Sequence, residues 1–264
     1  LRRLTRDQYK LVAVGLTVRL SIKCGSLSPS VVEVYVGTSG WVYDWNEGGT
    51  LDWYVERSGL NAVELNASFY RFPFPSQVKS WARRGSGLRW AVKVHRSITH
   101  VRRMGGSALE VWGRFRERFA PLDPLVDFYL FQLPPGFAAS EEGERRLRSF
   151  AEACGLGWRM AVEFRHESWF EGRGLRLCEE LGATFVSVDS PMGTWVASSN
   201  GIVYLRLHGR GAWYAYEYSE EELRGLARRV AELSPAKVYV FFNNNHWMLE
   251  NALQMLAILK NLLG

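Results

Sequence analysis

Eight short β-rich runs alternate with helix-favouring segments from residue 33 to the C-terminus, and this alternation most constrains what the chain can fold into. The runs fall at 33–38, 61–66, 89–95, 126–132, 159–165, 183–189, 202–208 and 237–243. Helical patterning occupies 51–57, 76–84, 107–119, 141–154, 173–181, 219–233 and 246–262. Alternation of this kind predicts a parallel sheet covered by helices, and eight repeats predict closure into a (β/α)8 barrel, an α/β TIM barrel. The sixth connection, 190–201, is rich in Ser and Gly and carries no helical pattern. The 264 residues suffice for one such domain over 31–264, preceded by a short N-terminal extension over 1–30.

Successive side chains of a strand point to opposite faces, so each run divides into two sets. Helices must cover the outside of a barrel, which assigns the apolar sets outward: Val63 and Leu65; Trp90, Val92 and Val94; Val162 and Phe164; Val203, Leu205 and Leu207. The mixed sets then point inward. They comprise Ala62, Glu64 and Asn66; Ala91, Lys93 and His95; Gln132; Ala161, Glu163 and Arg165; Ser187 and Asp189; Tyr204, Arg206 and His208; and Asn243. Charges withdrawn from water are costly unless paired, and a purely structural barrel would use Val, Ile and Leu there. The polar members gather toward the C-terminal ends of their strands, where TIM-barrel enzymes keep their chemistry. All five histidines, at 95, 100, 166, 208 and 246, also follow strand runs.

A formal charge of +6 favours anionic partners, a phosphate-containing substrate or DNA or RNA, although the arginine excess behind it also arises from a GC-rich genome. Cys24, Cys154 and Cys178 are odd in number and form no CxxC pair, which supports neither a disulfide framework nor a thiolate zinc site and leads to the expectation of a cytoplasmic protein. No run reaches the roughly eighteen apolar residues of a membrane span. The apolar stretch 11–22 is broken by Arg19 and lacks a cleavage site, so it reads as a mimic of a signal peptide. Nothing in the sequence specifies a protein partner.

Several segments resemble the YecE-like family, grouped as domain of unknown function 72. They are VGTSGWVYDW (36–45), VELNASFYRFP (63–73), ITH (98–100), FQLPP (131–135), AVEFRHESW (161–169), VDSP (188–191), YLRLHGRGAWYAYEYSEEEL (204–223) and FFNNNHWMLENA (241–252). The resemblance implies a TIM barrel, in agreement with the strand count, but no settled reaction. Its likeness to endonuclease IV is one of fold alone.

Glu163, Arg165 and His166 form the strongest cluster: a carboxylate inside a barrel beside cations acts as a base or ligand, or else belongs to an ion-pair network that fixes the barrel. Lys93 offers a base, a Schiff-base former or a phosphate contact, against a salt bridge to Glu64 or Glu163. His95 ranks above His100, which has the alternative of anchoring its loop. Arg206, His208 and the glycines of HGRG, with Arg210, lie where many barrels bind phosphate, and Asn243, Asn244 and Asn245 form the opposite lip. The alternative is that these Asn and Gly residues simply make turns. Trp213 and Tyr214 are the best candidates among the loop aromatics for contact with a base or sugar. Glu64, His95, Glu163, Asp189 and His208 include metal-ligand types, yet three inward cations repel a divalent ion and no HxxxH or HxH spacing occurs. A divalent metal is therefore not favoured, and no cofactor is specified.

The leading expectation is a phosphodiester hydrolase of nuclease type, with Glu163 as base or ligand, Lys93, Arg165 and Arg206 neutralising charge, and His95 or His208 moving protons. Asp189 is a further catalytic candidate, and Glu64, Asn66 and His166 join the binding set. A sugar or sugar-phosphate isomerase or lyase, and a non-catalytic nucleic-acid or metabolite binder, are the alternatives.

Overall fold

The computed structural model describes residues 31–264. The expected extension over 1–30, with its apolar stretch and Cys24, lies outside the described residues. Eight parallel strands form the barrel: β1 (Glu33–Thr38), β2 (Ala62–Leu65), β3 (Arg89–Lys93), β4 (Val126–Gln132), β5 (Met160–Glu163), β6 (Thr184–Ser190), β8 (Ile202–Leu207) and β9 (Lys237–Phe242). They run in the order β5-β4-β3-β2-β1-β9-β8-β6, and pairing of Ala161 with Thr184 and of Val162 with Phe185 closes the cylinder. The helices α1 (Leu51–Arg57), α2 (Pro75–Arg84), α3 (Ser107–Phe119), α4 (Glu141–Cys154), α5 (Arg173–Leu181), α6 (Glu220–Glu232) and α7 (Met248–Leu263) fill the connections. None is long and apolar enough to cross a membrane.

Local signals fix several helix ends. Ser140 and Ser219 each accept a first-turn amide at the start of α4 and α6, and Gly155 and Gly182 take left-handed conformations after α4 and α5. Gly37 in β1 has a different reason. A Cβ there would lie 2.1 Å from the Ala62 carbonyl oxygen, so only glycine admits this close approach of β1 and β2.

The expected division of faces holds on most strands. Val63, Val92, Val162, Leu205 and Val240 join the outer core with helix residues such as Trp112, Leu147, Leu177, Leu226 and Met255. Ala62, Ala91 and Ala161 face inward, and their small side chains make room for Phe128, Tyr204, Tyr239 and Phe241. Phe128 meets Tyr204 and Tyr239 edge-on, at 5.0 and 4.8 Å between ring centres. A register shift between β3 and β4 sets Asp127 apart from the regular alternation. Asp127 accepts from Tyr239 Oη at 2.8 Å and from Arg89 Nε at 2.8 Å.

Strand β6 departs from expectation. Val186 and Val188 occupy the barrel interior, so Ser187 and Asp189 are turned outward. The chain after β6 folds back as the antiparallel β7 (Gly193–Trp195), which pairs along the edge of β6, and no helix occupies the connection from β6 to β8. Ser187 Oγ donates to the Ala197 carbonyl at 2.9 Å and accepts its amide at 3.0 Å, while Asp189 accepts from Thr194 Oγ1. The rule that polar side chains face inward presupposes a helix in every connection, and the one from β6 to β8 has none.

Among the inward residues, Arg206 is fully buried between two carboxylates, and its removal would leave Glu64 without a cation and Glu163 with Arg165 alone. Arg206→Met is expected to cost about 3–5 kcal/mol, read as a lower urea midpoint with an unchanged slope. A loss under 1 kcal/mol would show that the cluster does not hold the barrel.

Candidate functional site

At the C-terminal ends of β2, β5 and β8 the inner positions are Glu64, Glu163 and Arg206, all fully buried. Arg206 donates to Glu64 from Nε at 2.9 Å and from Nη2 at 2.6 Å, a bidentate fork, and reaches Glu163 with Nη1. Glu64 also accepts from Ser39 Oγ at 2.7 Å and Tyr204 Oη at 2.6 Å. Glu163 pairs with Arg165 Nε and accepts from Gln132 Nε2 at 3.3 Å. Burial works to raise the Glu163 carboxyl, but Arg165 and Arg206 outweigh it and hold the group well below the usual carboxylate range.

His208 lies above Arg206 on the same strand face, completely buried. Burial, then Arg206 and Arg165, push its pKa down to about 3, so the ring is neutral. Nε2 stands 3.1 Å from Arg165 Nη2 and accepts from it; the proton therefore belongs on Nδ1, and the Asn243 side-chain amide beside it must then present its oxygen as acceptor. Lys93 is 8% exposed and forms no ion pair among the described residues, with Nζ 4.3 Å from the centre of the Phe69 ring. Burial first, then the Arg206 charge, lower its pKa to about 7 against the weaker pull of Glu163 and Glu64. The salt bridge that the sequence offered as an alternative for Lys93 is thus taken by arginine.

Above this layer a cavity of about 660 Å³ opens, lined by His100, Gln132, Leu133, Pro135, Arg165, Met192, Trp213 and Tyr214. The Trp213 ring lies over the Arg165 guanidinium at 4.7 Å. Tyr214 adopts φ 66°, and its amide donates to the His208 carbonyl at 2.7 Å, which holds the loop after β8 against the mouth. Asn66 Oδ1 is buried without a hydrogen-bond partner among the described residues.

Other candidates are not brought together with these. Asp189 binds Arg210 Nε at 3.0 Å and accepts from Tyr218 Oη at 2.7 Å on the outer side of β6. Arg210 is further engaged by Glu222 at 3.0 Å, and the Gly209 amide donates to Tyr218 Oη at 2.9 Å. Of the phosphate cradle expected at HGRG, the Gly209 amide and the Arg210 side chain are therefore engaged in internal bonds. Asn244 is buried and donates to the Tyr216 carbonyl and to Asn251 Oδ1, anchoring its loop. His95 packs on Phe72 at 5.0 Å and takes Ser97 Oγ at 2.7 Å, while His166 caps the turn 167–169 through Ser168. His246 lies beside Asp44 on the surface. His100, ranked below His95 on sequence, is the histidine that reaches the cavity; its place in a loop beyond the strand hid it from the alternation argument. Ser39 and Tyr204 were likewise missed as partners of Glu64, although Tyr204 stood on the inward list.

No group of three or more His, Cys, Asp or Glu side chains able to hold a metal ion occurs among the described residues. The donor set does not fit one, because the oxygens of Glu64 and Glu163 face guanidinium and hydroxyl donors and His208 Nε2 faces Arg165. A profile described as protein of unknown function DUF72 matches residues 35–264. A DUF72 family protein from Thermotoga maritima superposes with a TM-score of 0.74 at 31% identity, over 86% of this chain and 99% of its own. One from Enterococcus faecalis gives 0.74 at 25% identity, over 86% and 95%. A D-psicose 3-epimerase gives 0.51 at 9% identity, over 88% and 97%, a likeness of fold alone. No curated protein matches the chain. The motifs, the closed barrel and the matched solved structures together establish that the chain belongs to the DUF72 family.

Proposed function

We propose that this protein is an enzyme acting at the barrel mouth on a small phosphate-bearing carbonyl compound, of the sugar-phosphate isomerase or lyase type, with Lys93 as the working amine. One observation carries this reading: Lys93 is buried among cations with no carboxylate partner among the described residues. A cluster serving structure alone would place each buried charge on a counter-ion. An amine with a pKa of about 7 is available in its neutral form, either to accept a proton beside a carbonyl or to attack the carbonyl carbon. A cavity of about 660 Å³ suits a small molecule, and the basic groups around it favour an anion.

The phosphodiester hydrolase expected from the sequence draws less support. Glu163, its intended base, has both oxygens engaged by arginines and stays ionised far below neutrality, which makes it a weak base.

Pyridoxal 5′-phosphate followed by borohydride provides a direct test, because it combines an aldehyde with a phosphate. Of the six lysines, Lys93 alone is expected to be reduced onto the probe, with half-maximal labelling near pH 7. At neutral pH its neutral fraction exceeds that of an ordinary lysine by about a thousandfold. Labelling spread over the lysines according to exposure would defeat the reading. In parallel, a panel of aldose and ketose phosphates in deuterium oxide should show exchange beside the carbonyl, reduced about 10²–10⁴-fold in Lys93→Met. Cleavage of labelled DNA or RNA that persists in Lys93→Met would instead favour the hydrolase, and salt-sensitive binding without turnover would favour a binder.

The same lysine makes a stability prediction. Its folded pKa lies below its unfolded value, so the unfolded chain holds more protons between about pH 7 and 10.4, and wild-type stability rises with pH across that window. The cost of the buried ammonium is full below pH 7. Lys93→Met should therefore be more stable than wild type at pH 6, by roughly 2–5 kcal/mol, with the difference shrinking toward pH 10 in urea melts.

A further inference from the structure

His100 occupies a five-residue π-turn, Ser97–Val101, that follows β3. Such turns are rare and frequently mark functional positions. Buried Ile98 and Thr99 fix the turn, and Thr99 Oγ1 lies 2.9 Å from His100 Nδ1, which occupies that nitrogen. The imidazole meets Phe69 edge-on at 4.9 Å, the same ring that carries the Lys93 ammonium, so the two groups share one aromatic support. Just downstream, Arg103 and Met104 take φ values of 47° and 57°, two consecutive non-glycine residues in the left-handed region. This strain is held by Met104 N–H on the Ile98 carbonyl at 3.1 Å and by Arg103 Nη2 on the Gly136 carbonyl at 2.6 Å.

Cations face His100: Lys93 from β3, Arg165 from the end of β5, and Arg96 and Arg103 from its own loop. An anion in the cavity would relieve their mutual repulsion, whereas in the HGRG loop the Gly209 amide and the Arg210 side chain are already engaged.

We infer that His100 and Arg165 form a phosphate-monoester subsite in the mouth cavity, His100 donating from Nε2 as an imidazolium once the anion is bound. The inference rests on the reading of the mouth as the site of a phosphate-bearing substrate, and it moves the phosphate from the β8 side to the β3–β5 side. Bound dianion favours the protonated ring, so binding takes up a proton and tightens as pH falls toward the His100 midpoint.

The histidine ring signals of the full chain, followed by NMR against pH with inorganic phosphate and, as a non-titrating anion, sulfate, test this. Saturable shifts are expected at His100, with its titration midpoint raised by about 1 pH unit, equivalent to about tenfold tighter binding by the protonated ring. His100→Gln should lower phosphate affinity about tenfold, whereas the surface change Arg224→Gln should not. Unmoved His100 signals at millimolar anion, or shifts concentrated at His208 and His246, which flank the loops after β8 and β9, would overturn the inference. Lys93→Met should retain the His100 response: a response without lysine labelling sinks only the Lys93 chemistry, and labelling without a response sinks only the subsite.

Discussion

One guanidinium between two carboxylates governs the interior of this barrel. Arg206 takes a bidentate grip on Glu64 and reaches Glu163 with its remaining nitrogen, all without access to solvent. A buried carboxylate is tolerable only when its lone pairs are filled and its charge is balanced; Ser39, Tyr204 and Gln132 add hydrogen bonds, and Arg165 adds a second cation beside Glu163. Two acids are thus balanced by two arginines. Every other ionisable group nearby must then do without a counter-ion: His208 becomes neutral, and Lys93 is left as an amine that can lose its proton near neutrality.

The two ends of the barrel treat polarity differently. Away from the mouth, Asp127 finds Arg89 and Tyr239, Tyr35 stacks on Tyr239 at 4.8 Å, and Phe128 fills the centre. Each polar group there has a partner, so that end contributes packing. At the mouth the partners run out: Lys93 has no carboxylate and Asn66 Oδ1 no donor among the described residues, while Lys93, Arg165, Arg96 and Arg103 bring positive charge to His100. Groups whose needs are met hold a fold together, and groups left in want of a partner are where a ligand gains free energy.

Much of the architecture could be read from the residues. The spans 51–57, 107–119, 141–154 and 173–181 coincide with α1, α3, α4 and α5, because periodicity and local caps such as Ser140 and Gly182 act within a few residues of themselves. The inward assignment of Glu64, Lys93, Glu163 and Arg206 also holds, since alternation along a strand is geometric once the outer face has a helix to cover it. The same argument misplaced Asp189, where a hairpin replaces the helix, and it had no means of weighing His100, which lies in a loop where period-two alternation does not apply.

The sequence by itself therefore determined the barrel, the approximate spans of its eight barrel strands and seven helices, and, on strands backed by helices, which side chains enter the cylinder, since these follow from short-range periodicity and from the need to bury apolar surface. Only the tertiary structure decided who pairs with whom. Whether Glu163 would meet lysine or arginine, whether Arg210 would be free or spent on Asp189, and which histidine would reach the mouth depend on distances of a few ångströms between residues far apart in the chain. Coulombic and hydrogen-bond energies in a buried site change over such distances, and no one-dimensional pattern records them.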